Sequence, residues 1–458
     1  MNNAQHVHFI GIGGYGMSAI ARVMLDLGYQ VSGSDVIKKD LTDKLAARGA
    51  NIYIGHHESN VYGADLIVYS TDIPKNNVEL LAAEKRKIPF IHRSEMLARL
   101  LYEKKGIAVS GAHGKTTTSS MIALMMENNN LDPTFVIGGE VLNIGSNAKA
   151  GKGEFVVAEA DESDQTFLHY YPYIAVVTNI EADHLENYDG NFNNLKEAYH
   201  KFMGQVKPEG FSVVNHDDPY IKEILPSLKG KVITFGFNQN ADMYAEDIQY
   251  MNRSVSFSVI YHGEELGRAH LSIPGKHNVL NAMATIIVGL ETGIPFDGII
   301  NALKEFTGAK RRFQVIIEHN QITVIDDYAH HPTEIQATIS AAKATGKRIV
   351  AVFQPQRYTR TFFLLDAFSR SFSEADEVVI TDIYSPAGDN IIEGINAQKL
   401  FELIRENSNN NVKFFPTKEE VLSYLLENSH PNDLILTMGA GDIWKVAYQM
   451  AEIWKKEK

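Results

Sequence analysis

At one glycine-rich loop the chain reads Ser110-Gly111-Ala112-His113-Gly114-Lys115-Thr116-Thr117-Thr118. A β-branched run at residues 107–110 precedes the loop, and apolar residues at helical spacing follow it. Backbone N–H groups in such a strand–loop–helix connection can surround phosphate oxygens, while Lys115 neutralises their charge and the Thr116 hydroxyl binds magnesium. The glycines are three residues apart, unlike those of the standard P-loop, and Gly-Lys-Thr can occur by chance. The position between strand and helix nevertheless favours phosphate binding.

Another glycine-rich loop lies near the start of the chain, where Gly11-Ile12-Gly13-Gly14-Tyr15-Gly16 fits the pattern G-x-G-x-x-G. It joins a predicted strand at 7–10 to a predicted helix at 18–27, as in loops that bind a pyrophosphate at a helix N-terminus. Asp35 ends the next predicted strand, where an acid often binds a ribose hydroxyl. The loop fits a dehydrogenase, another nucleotide-binding protein or a structural turn. Two phosphate-binding loops predict two phosphorylated ligands, which disfavours a simple dehydrogenase.

Acidic and histidine residues follow two later predicted strands. The strand at 155–159 ends in Glu159-Ala160-Asp161-Glu162-Ser163-Asp164. Because ligands gather at the carboxyl ends of strands in open α/β sheets, we expect Glu159 to bind a metal. For Glu162 and Asp164 a solvated acidic loop is an equal alternative. His184 follows the strand at 174–178 and is a candidate metal or phosphate contact, although a single histidine is often structural.

A predicted helix at 278–291 begins with two amide side chains, after the sequence Pro274-Gly275-Lys276-His277. Asn278 and Asn281 lie about one helical turn apart and can present their amides to the edge of a nucleotide base. The alternative interpretation is that Asn278 caps the N-terminus of the helix.

Three polar clusters flank predicted strands near the end of the chain. They are Lys310-Arg311-Arg312-Phe313, Asp326-Asp327-Tyr328-Ala329-His330-His331-Pro332 and Gln354-Pro355-Gln356-Arg357-Tyr358-Thr359-Arg360-Thr361. Two arginines three residues apart, Arg357 and Arg360, suit a carboxylate ligand because guanidinium groups donate paired hydrogen bonds. The alternative for both arginines is ordinary ion pairing at the surface.

The order of these segments predicts the fold class. Short β-branched runs alternate with amphipathic helical stretches, which indicates parallel sheets flanked by helices. Residues 243–273 differ, because they have the pattern of antiparallel strands with a turn at His262-Gly263. We predict an α/β protein of three domains. Residues 1–104 and 311–458 are Rossmann-like, and residues 105–310 are a P-loop-type domain with a parallel sheet and a small antiparallel sheet.

Composition excludes several classes of function. The 458 residues carry a net charge of −13, which disfavours nucleic acids and anionic membranes as partners. The absence of cysteine excludes disulfides, thiolate metal sites and cysteine nucleophiles. A polar N-terminus without a signal peptide, and the lack of about 18 consecutive apolar residues, predict a cytoplasmic enzyme with no membrane insertion.

Taken together, the motifs resemble those of the Mur ligase family of peptidoglycan synthesis over nearly the whole chain. The segments that carry the resemblance begin at Gly11, Gly111, Glu159, Thr178, Pro274, Arg311, Asp326 and Arg357. The resemblance implies a UDP-sugar in the first domain, ATP in the second and an amino acid in the third. It is strongest to the branch that joins L-alanine to the lactyl carboxylate of UDP-N-acetylmuramate. That reaction would pass through an acyl phosphate and release ADP and phosphate.

The resemblance also implies roles for single residues. Lys115 would stabilise the transferred phosphoryl group, while Thr116, Glu159 and His184 would bind two Mg²⁺ ions, which Mn²⁺ can replace. ATP contacts would come from Gly111, Ala112, His113, Gly114, Lys115, Thr116, Thr117, Asn278, Asn281 and Arg312. UDP-sugar contacts would come from Gly11, Gly13, Gly14, Gly16, Asp35, Ser70 and Arg93. The amino acid would lie among Tyr328, His330, Arg357 and Arg360.

Other functions stay open at this point. A related recycling ligase, which attaches a preformed tripeptide to the same sugar nucleotide, would differ around Tyr328, His330 and Arg360. A pyridine-nucleotide oxidoreductase would leave the loop at 111–118 and Glu159 without a role. A nucleotide-binding scaffold without activity would leave most of these polar clusters unexplained. The sequence is compatible with a monomer or a dimer, and it does not say whether Asp326 or Asp327 acts as a base.

Overall fold

The computed structural model describes residues 5–386 and 389–456. Its strands form three sheets of five, ten and six strands, with helices between them in the chain. The chain divides into two compact units. The first unit comprises Met1–Glu246, Ser258–Ala269 and Leu280–Phe306, and the second comprises Asp247–Phe257, His270–Val279 and Thr307–Lys458. The predicted α/β class is confirmed, while the domain boundaries at 104/105 and 310/311 stay predictions.

The first sheet is parallel throughout and has the strand order β3-β2-β1-β4-β5. Its strands are β1 His6–Ile10, β2 Gln30–Asp35, β3 Asn51–Ile54, β4 Leu66–Tyr69 and β5 Phe90–His92. Its helices are α1 Tyr15–Asp26, α2 Asp40–Ala47, α3 Val78–Arg86 and α4 Arg93–Glu103, with a 3₁₀ turn at Glu58–Val61. The order reverses between β1 and β4. The loop after β1 therefore lies where open α/β sheets usually bind ligands.

The second sheet is mixed, with the order β15-β14-β13-β12-β11-β10-β6-β9-β7-β8. Its strands are β6 Lys105–Ser110, β7 Thr134–Val141, β8 Ser146–Lys149, β9 Phe155–Glu159, β10 Ile174–Val177, β11 Phe211–Asn215, β12 Lys231–Gly236, β13 Met243–Met251, β14 Ser254–Tyr261 and β15 Glu264–Leu271. Its helices are α5 Lys115–Asn128, α6 Phe192–Gly204, α7 Pro219–Ile224, α8 Lys276–Glu291 and α9 Phe296–Glu305, with 3₁₀ turns at Thr166–His169, Leu185–Asn187 and Leu225–Ser227.

The predicted antiparallel strands are present at the end of this second sheet. Two-residue connections join β13 to β14 and β14 to β15, and neighbouring strands joined so tightly must run antiparallel. They continue the parallel sheet, since β13 pairs with β12 in parallel register. Strands β7, β8 and β12 were not predicted. In β7 and β8, glycines and polar residues hide the β-branched pattern on which the prediction depends.

The third sheet has the order β16-β17-β21-β18-β19-β20, and only the β16–β17 pair is antiparallel among the pairings described. Its strands are β16 Gln314–His319, β17 Ile322–Asp327, β18 Arg348–Phe353, β19 Glu377–Ile380, β20 Val412–Phe414 and β21 Asp433–Met438. Its helices are α10 Pro332–Lys343, α11 Tyr358–Phe363, α12 Leu365–Ser369, α13 Ala397–Asn407, α14 Lys418–Asn428 and α15 Trp444–Lys456. Edge strand β16 was missed because a register shift between Val315 and Ile317 breaks its alternation.

Helix α5 is buried along most of its length. Every residue from Thr116 to Met126 is buried, so the helix has no solvated face beyond its two ends. Gly289 of α8 permits this packing, because a Cβ atom there would lie 2.7 Å from Met125 Sδ. A helix held on all sides fixes the position of the loop at its N-terminus. Within the described ranges, no helix combines the length and apolar character needed to cross a membrane.

A buried carboxylate organises the first sheet. Glu79 of α3 is 0% exposed and accepts hydrogen bonds from Ser34 Oγ at 2.6 Å and Asn60 Nδ2 at 2.6 Å, with His8 Nε2 at 3.4 Å. Burial alone would raise its pKa, but the hydrogen bonds from His8, Ser34 and Asn60 lower the pKa to about 2. The ionised carboxylate is therefore the form that the folded domain stabilises.

We expect this carboxylate to make the first sheet sensitive to acid. A folded-state pKa of about 2, against an ordinary value of 4.5, contributes about 3 kcal/mol above pH 4.5, and this stability is lost as the pH falls from 4.5 to 2. Glu79→Gln should be destabilised at pH 7, and the difference from the unsubstituted chain should shrink below pH 4.5. Urea unfolding followed by circular dichroism measures this difference in the free energy of unfolding. Glu84→Gln, at an exposed position of α3, is the control; a difference independent of pH would contradict the assignment.

Candidate active site

The loop between β6 and α5 adopts a conformation that requires two of its glycines. Gly111 has φ +136° and Gly114 has φ +86°, both in the region that side chains rarely adopt. A Cβ atom on Gly111 would lie 2.1 Å from Thr178 Oγ1, and one on Gly114 would lie 2.6 Å from Asn281 Oδ1. The backbone of the loop can therefore come this close to its neighbours only with glycine at these positions. The absence of side chains there also allows a ligand to approach the loop backbone closely.

Residues after the adjacent strand β10 hold this loop in place. Asn179 accepts a hydrogen bond from the His113 N–H at 2.9 Å and donates one to His113 O at 2.9 Å. The Ala112 N–H donates to Asn179 O at 3.2 Å, and Thr178 Oγ1 donates to His113 O at 2.5 Å. The ring of His113 lies 2.7 Å from Glu181. The supporting roles of Thr178 and Asn179 were not predicted, although the pairing of β10 with β6 could have suggested them.

Lys115 begins α5 and turns back toward its own loop. Its Nζ atom donates to Gly111 O at 2.5 Å and to both carboxylate oxygens of Glu162, at 2.7 Å and 2.9 Å. Burial lowers the pKa of Lys115, but the charges of Glu162 and Asp161 outweigh burial and hold this pKa above its ordinary value. Lys115 is thus a fully charged ammonium at the entrance of the loop. Thr116 and Thr117 follow it and are each 8% exposed.

The acidic segment after β9 places its carboxylates in different environments. Glu159 accepts a hydrogen bond from the Gly138 N–H at 2.7 Å. Glu162 is 4% exposed, so the solvated-loop interpretation is wrong for this residue. Asp164 accepts from the Thr166 N–H at 3.1 Å and from Thr71 Oγ1 at 3.1 Å, and it is only partly exposed. Asp164 therefore organises a turn and does not lie on a freely solvated loop.

The N-terminal glycine loop joins β1 to α1, which begins at Tyr15, three residues earlier than predicted. Gly11 has φ +80°, and the N–H groups of Gly11 and Ile12 donate to Ser34 O at 2.8 Å and 3.0 Å. Gly14 closes the turn through its N–H, which donates to Gly11 O. The Asp35 carboxylate accepts the Gly13 N–H at 2.9 Å and is 4% exposed. In the structure Asp35 thus supports the loop, and its contact with a ribose stays a prediction.

Residues of both glycine motifs line one open pocket in the first unit, with a cavity volume of about 170 Å³. Gly16 and Arg93 line it from the N-terminal sheet, and Lys115 and Glu159 line it from the second sheet. A Cβ atom on Gly16 would lie 2.7 Å from Arg93 Nη1, and Arg93 Nη2 lies 3.9 Å from Asp161 Oδ2. Four predicted site residues from four separate segments of the chain are therefore brought together. Ser70 lies at the rim of the first loop, its Oγ 3.9 Å from a Cβ position on Gly11.

Several residues of this pocket were not predicted as site residues. They are Ile20, Ser94, Leu97, Val136, Ile137, Gly138, Asp161, Thr166 and Tyr170. Asp161 belongs to the acidic segment at 159–164, for which the sequence predicted a ligand contact only at Glu159. Thr166 begins a 3₁₀ turn and Tyr170 follows it, and the short irregular sequence of this turn has no periodicity that a prediction could use.

His184 lies in a strained turn after β10. Its φ is +55°, and its Nε2 lies 3.5 Å from Asp183 Oδ2 while its Nδ1 lies 3.8 Å from Glu186 Oε1. A non-glycine residue in this backbone region is uncommon and often marks a functional position. The structure does not place His184 among the residues that line the pocket with Lys115 and Glu159.

The two asparagines of α8 are both buried, at 5% exposure. The helix begins at Lys276, so Asn278 lies in its first turn and the N-cap interpretation is wrong. The Nδ2 atom of Asn278 donates to Pro274 O at 2.6 Å, within the second unit. Asn281 belongs to the first unit, where its amide oxygen lies against Gly114 of the phosphate-binding loop.

In the second unit, cationic and aromatic side chains gather at the ends of β16 and β17. The guanidinium carbons of Arg311 and Arg312 lie 4.9 Å and 5.2 Å from the centre of the Tyr328 ring, and the His330 ring meets that ring edge-on. His330 Nδ1 lies 3.2 Å from Glu334. Such stacking fixes the plane of the Tyr328 ring. Three predicted site residues, Arg312, Tyr328 and His330, are therefore brought together.

The two remaining predicted residues lie at the start of α11. Arg357 is exposed, has φ +65° and precedes the helix, while its N–H donates to Tyr384 O at 3.0 Å. Arg360 Nη1 donates to Gln356 Oε1 at 3.2 Å. Arg357 thus combines a positive φ with an exposed side chain, and its contact with a carboxylate ligand stays a prediction.

The paired acids at the end of β17 differ in their partners. Asp326 is 0% exposed and bonds to Arg311 Nε at 2.9 Å and Thr437 Oγ1 at 2.9 Å. Asp327 accepts the N–H groups of Phe313 at 2.6 Å and Ala329 at 2.7 Å. Burial raises the pKa of Asp327 to about 6, although nearby Arg312 opposes the shift. Both carboxylates organise the loops that carry Arg312 and Tyr328.

Comparison with known proteins gives matches along nearly the whole chain. Family models match as the Mur ligase family catalytic domain over residues 6–113, the Mur ligase middle domain over 109–289 and the Mur ligase glutamate ligase domain over 311–441. The UDP-N-acetylmuramate–L-alanine ligase of Pelotomaculum thermopropionicum is 48% identical over 460 residues, 100% of this chain and 99% of the relative. That of Symbiobacterium thermophilum is 45% identical over 459 residues, 99% of this chain and 95% of the relative.

Solved structures agree with these matches. The UDP-N-acetylmuramate-alanine ligase of Thermotoga maritima has a TM-score of 0.84 at 28% identity and covers 100% of both chains. A murein peptide ligase of Psychrobacter arcticus has a TM-score of 0.71 at 23% identity and covers 98% of both chains, a likeness of fold. From the family models, the full-length relatives and the shared fold it follows that this chain belongs to the Mur ligase family.

Proposed function

We propose that the chain is an ATP-dependent ligase that adds L-alanine to the lactyl carboxylate of UDP-N-acetylmuramate in peptidoglycan precursor synthesis. The observation that carries the proposal is the shared pocket, which is lined from one side by Gly16 and Arg93 and from the other by Lys115 and Glu159. A pocket between two phosphate-binding loops suits a reaction in which one phosphorylated ligand reacts with another.

In this reaction the lactyl carboxylate attacks the γ-phosphorus of ATP, and an acyl phosphate and ADP form. The alanine amine then attacks the acyl carbon, phosphate leaves, and the amine loses a proton to give the amide. Lys115 contributes by neutralising charge that develops on the transferred phosphoryl oxygens. Gly11, Gly13 and Gly14 admit the pyrophosphate of the sugar nucleotide to the N-terminus of α1, with Arg93 and Ser70 at the rim.

Thr116 and Glu159 would hold one Mg²⁺ ion with the nucleotide, and His184 would contact a second. The donor set fits such an ion, because a hydroxyl and a carboxylate are oxygen ligands and a group of carboxylates already surrounds Lys115. When bound, the ion neutralises phosphate oxygens and orients them. The loop from Gly111 to Thr117 would contact the phosphates, and Asn278, Asn281 and Arg312 the rest of the nucleotide.

The amino acid is assigned to the second unit. Arg357 and Arg360 would bind its carboxylate, and the stacked rings of Tyr328 and His330 would bound the space for its side chain. The alternative substrate is a preformed tripeptide, as the names of two structurally similar murein peptide ligases suggest. Identities of 45–48% to alanine ligases along the full chain favour the single amino acid.

Phosphate release tests this function directly. The purified chain is incubated with ATP, magnesium and UDP-N-acetylmuramate, and L-alanine, glycine, L-serine or the stem tripeptide is added separately. We expect release that requires both the sugar nucleotide and L-alanine, with the amide product identified by mass spectrometry. Release with the tripeptide but not with L-alanine would move the chain to the recycling branch, and release with neither would refute the ligase.

A further inference from the structure

The ammonium group of Lys115 already has three close oxygen partners. They are Gly111 O at 2.5 Å and the two carboxylate oxygens of Glu162 at 2.7 Å and 2.9 Å. A lysine ammonium has three N–H donors, so these oxygens account for its donor capacity. In this arrangement Lys115 cannot donate to a phosphate without giving up a bond to Glu162 or to its own loop.

The backbone of Glu162 is held by a contact that does not involve Lys115. The hydroxyl of Tyr188 donates to the backbone oxygen of Glu162 at 2.5 Å, and Tyr188 is 2% exposed. The Glu162 side chain is 5% exposed. A carboxylate so far removed from water needs a close cation, and the ammonium of Lys115 bonds to both of its oxygens. The backbone of Glu162 is therefore fixed beside the phosphate-binding loop, and its carboxylate is directed at Lys115.

We propose that Glu162 is a positioning residue that holds Lys115 against the loop in the nucleotide-free enzyme and yields the lysine to a phosphate oxygen when ATP binds. The inference rests on the proposed function, because it assigns the loop to ATP. Glu162 has two opposing effects. It keeps the flexible lysine side chain ordered at the mouth of the loop, and it competes with the incoming phosphates for the same ammonium.

This exchange has a consequence that a merely structural carboxylate would not have. Removal of the negative charge ends both the competition for Lys115 and the repulsion of the phosphates, so nucleotide binding becomes tighter. The lysine also loses the partner that orders it, so turnover at saturating ATP becomes slower. A residue that only stabilised the fold would weaken binding and turnover together when replaced.

The test is nucleotide binding to Glu162→Gln, which keeps the shape of the side chain and one acceptor oxygen. Isothermal titration with ATP, and separately with ADP, in magnesium and without sugar nucleotide or amino acid should give a dissociation constant about tenfold lower than that of the unsubstituted enzyme, equivalent to about 1.4 kcal/mol. The turnover number in the complete reaction should fall at least about tenfold. Unchanged or weaker nucleotide binding by the folded variant would overturn the proposal.

Glu154→Gln is the matched control, because Glu154 forms an exposed ion pair with Lys105 in the same sheet. Its nucleotide affinity and turnover should equal those of the unsubstituted enzyme, and a tenfold change there would overturn the assignment to Glu162. Binding is measured without the other substrates, so a failure of the alanine reaction alone leaves this test intact.

A measurement on the unsubstituted enzyme covers the case in which Glu162→Gln does not fold. Lysine labelled with ¹⁵N at the side chain should give an ammonium resonance for Lys115, identified by its absence in Lys115→Met, because buried ion-paired ammonium groups exchange slowly. We expect this resonance to shift when ATP and magnesium are added. A resonance that does not move on saturation with ATP would show that the ion pair persists and would overturn the proposal.

Discussion

Replacement of Lys115 by methionine is expected to lower the turnover number of the alanine-adding reaction by about a thousandfold. The side chain keeps its length but loses the charge that faces the transferred phosphoryl group, and loss of one preorganised donor costs about 10²–10³-fold in comparable sites. Phosphoryl transfer depends mainly on positioning and charge neutralisation, so other residues compensate little. Phosphate release at saturating ATP, sugar nucleotide and L-alanine measures the effect.

The same substitution should also destabilise the first unit, because it leaves Glu162 buried beside a thioether. Removing one partner of a buried ion pair costs about 3–5 kcal/mol. The double variant Lys115→Met with Glu162→Gln should recover most of the thermal stability and none of the turnover. Recovery of both would mean that the single variant fails through misfolding and that Lys115 has no direct role in catalysis.

Lys149→Met is a suitable control for this experiment. Lys149 of β8 bonds to Glu127 of α5 at 2.7 Å and to Asp132 at 2.8 Å, but none of the three residues lines the pocket. Its loss should reduce stability and leave turnover unchanged. A large loss of turnover in Lys149→Met would show that rates in this chain follow stability and would undermine the interpretation of Lys115.

The positions of the strand ends at the candidate site were predicted better from the sequence than the contacts that their residues make. Strand β9 has the predicted bounds, because it is a short apolar run with polar residues on both sides. The glycine loops were located for the same reason, since their position depends on local pattern. The prediction did not find edge strands β8 and β16, because β8 is mostly polar and a register shift breaks the alternation of β16.

The partners of the site residues could not be predicted, because they depend on register across the sheet. Asn179 follows His113 by 66 residues in the sequence and bonds to it because β10 pairs with β6. Glu162 and Asp164 were equivalent in the sequence, yet one is buried against Lys115 and the other caps a turn. Asp35 likewise ends a strand as predicted, but its carboxylate bonds to the Gly13 N–H.

Arg311→Met is expected to lower the free energy of unfolding of the second unit by about 3–5 kcal/mol at pH 7. Arg311 Nε bonds to the fully buried Asp326 at 2.9 Å, and its Nη2 atom donates to Gly439 O at 2.6 Å. Without the arginine, the carboxylate and the carbonyl lose their charged donor in a place that water does not reach. Both tryptophans lie on α15, so urea unfolding followed by tryptophan fluorescence reports this unit.

The destabilisation caused by Arg311→Met should depend on pH, because Asp326 loses its cationic partner. Burial already raises the pKa of Asp326, although Arg311 opposes the shift, and removal of Arg311 raises this pKa further. A carboxyl group with a raised folded-state pKa favours the native state at low pH, and that contribution is lost as the pH rises through the pKa. The destabilisation should therefore be smaller at pH 5 than at pH 8, and Asp326→Asn in the same chain should remove the difference.

Arg370→Met, which breaks an exposed pair with Asp366, should leave the unfolding midpoint unchanged at both pH values. Equal destabilisation of Arg311→Met at pH 5 and pH 8 would mean that lost carbonyl contacts, and not the uncompensated Asp326, cause the effect.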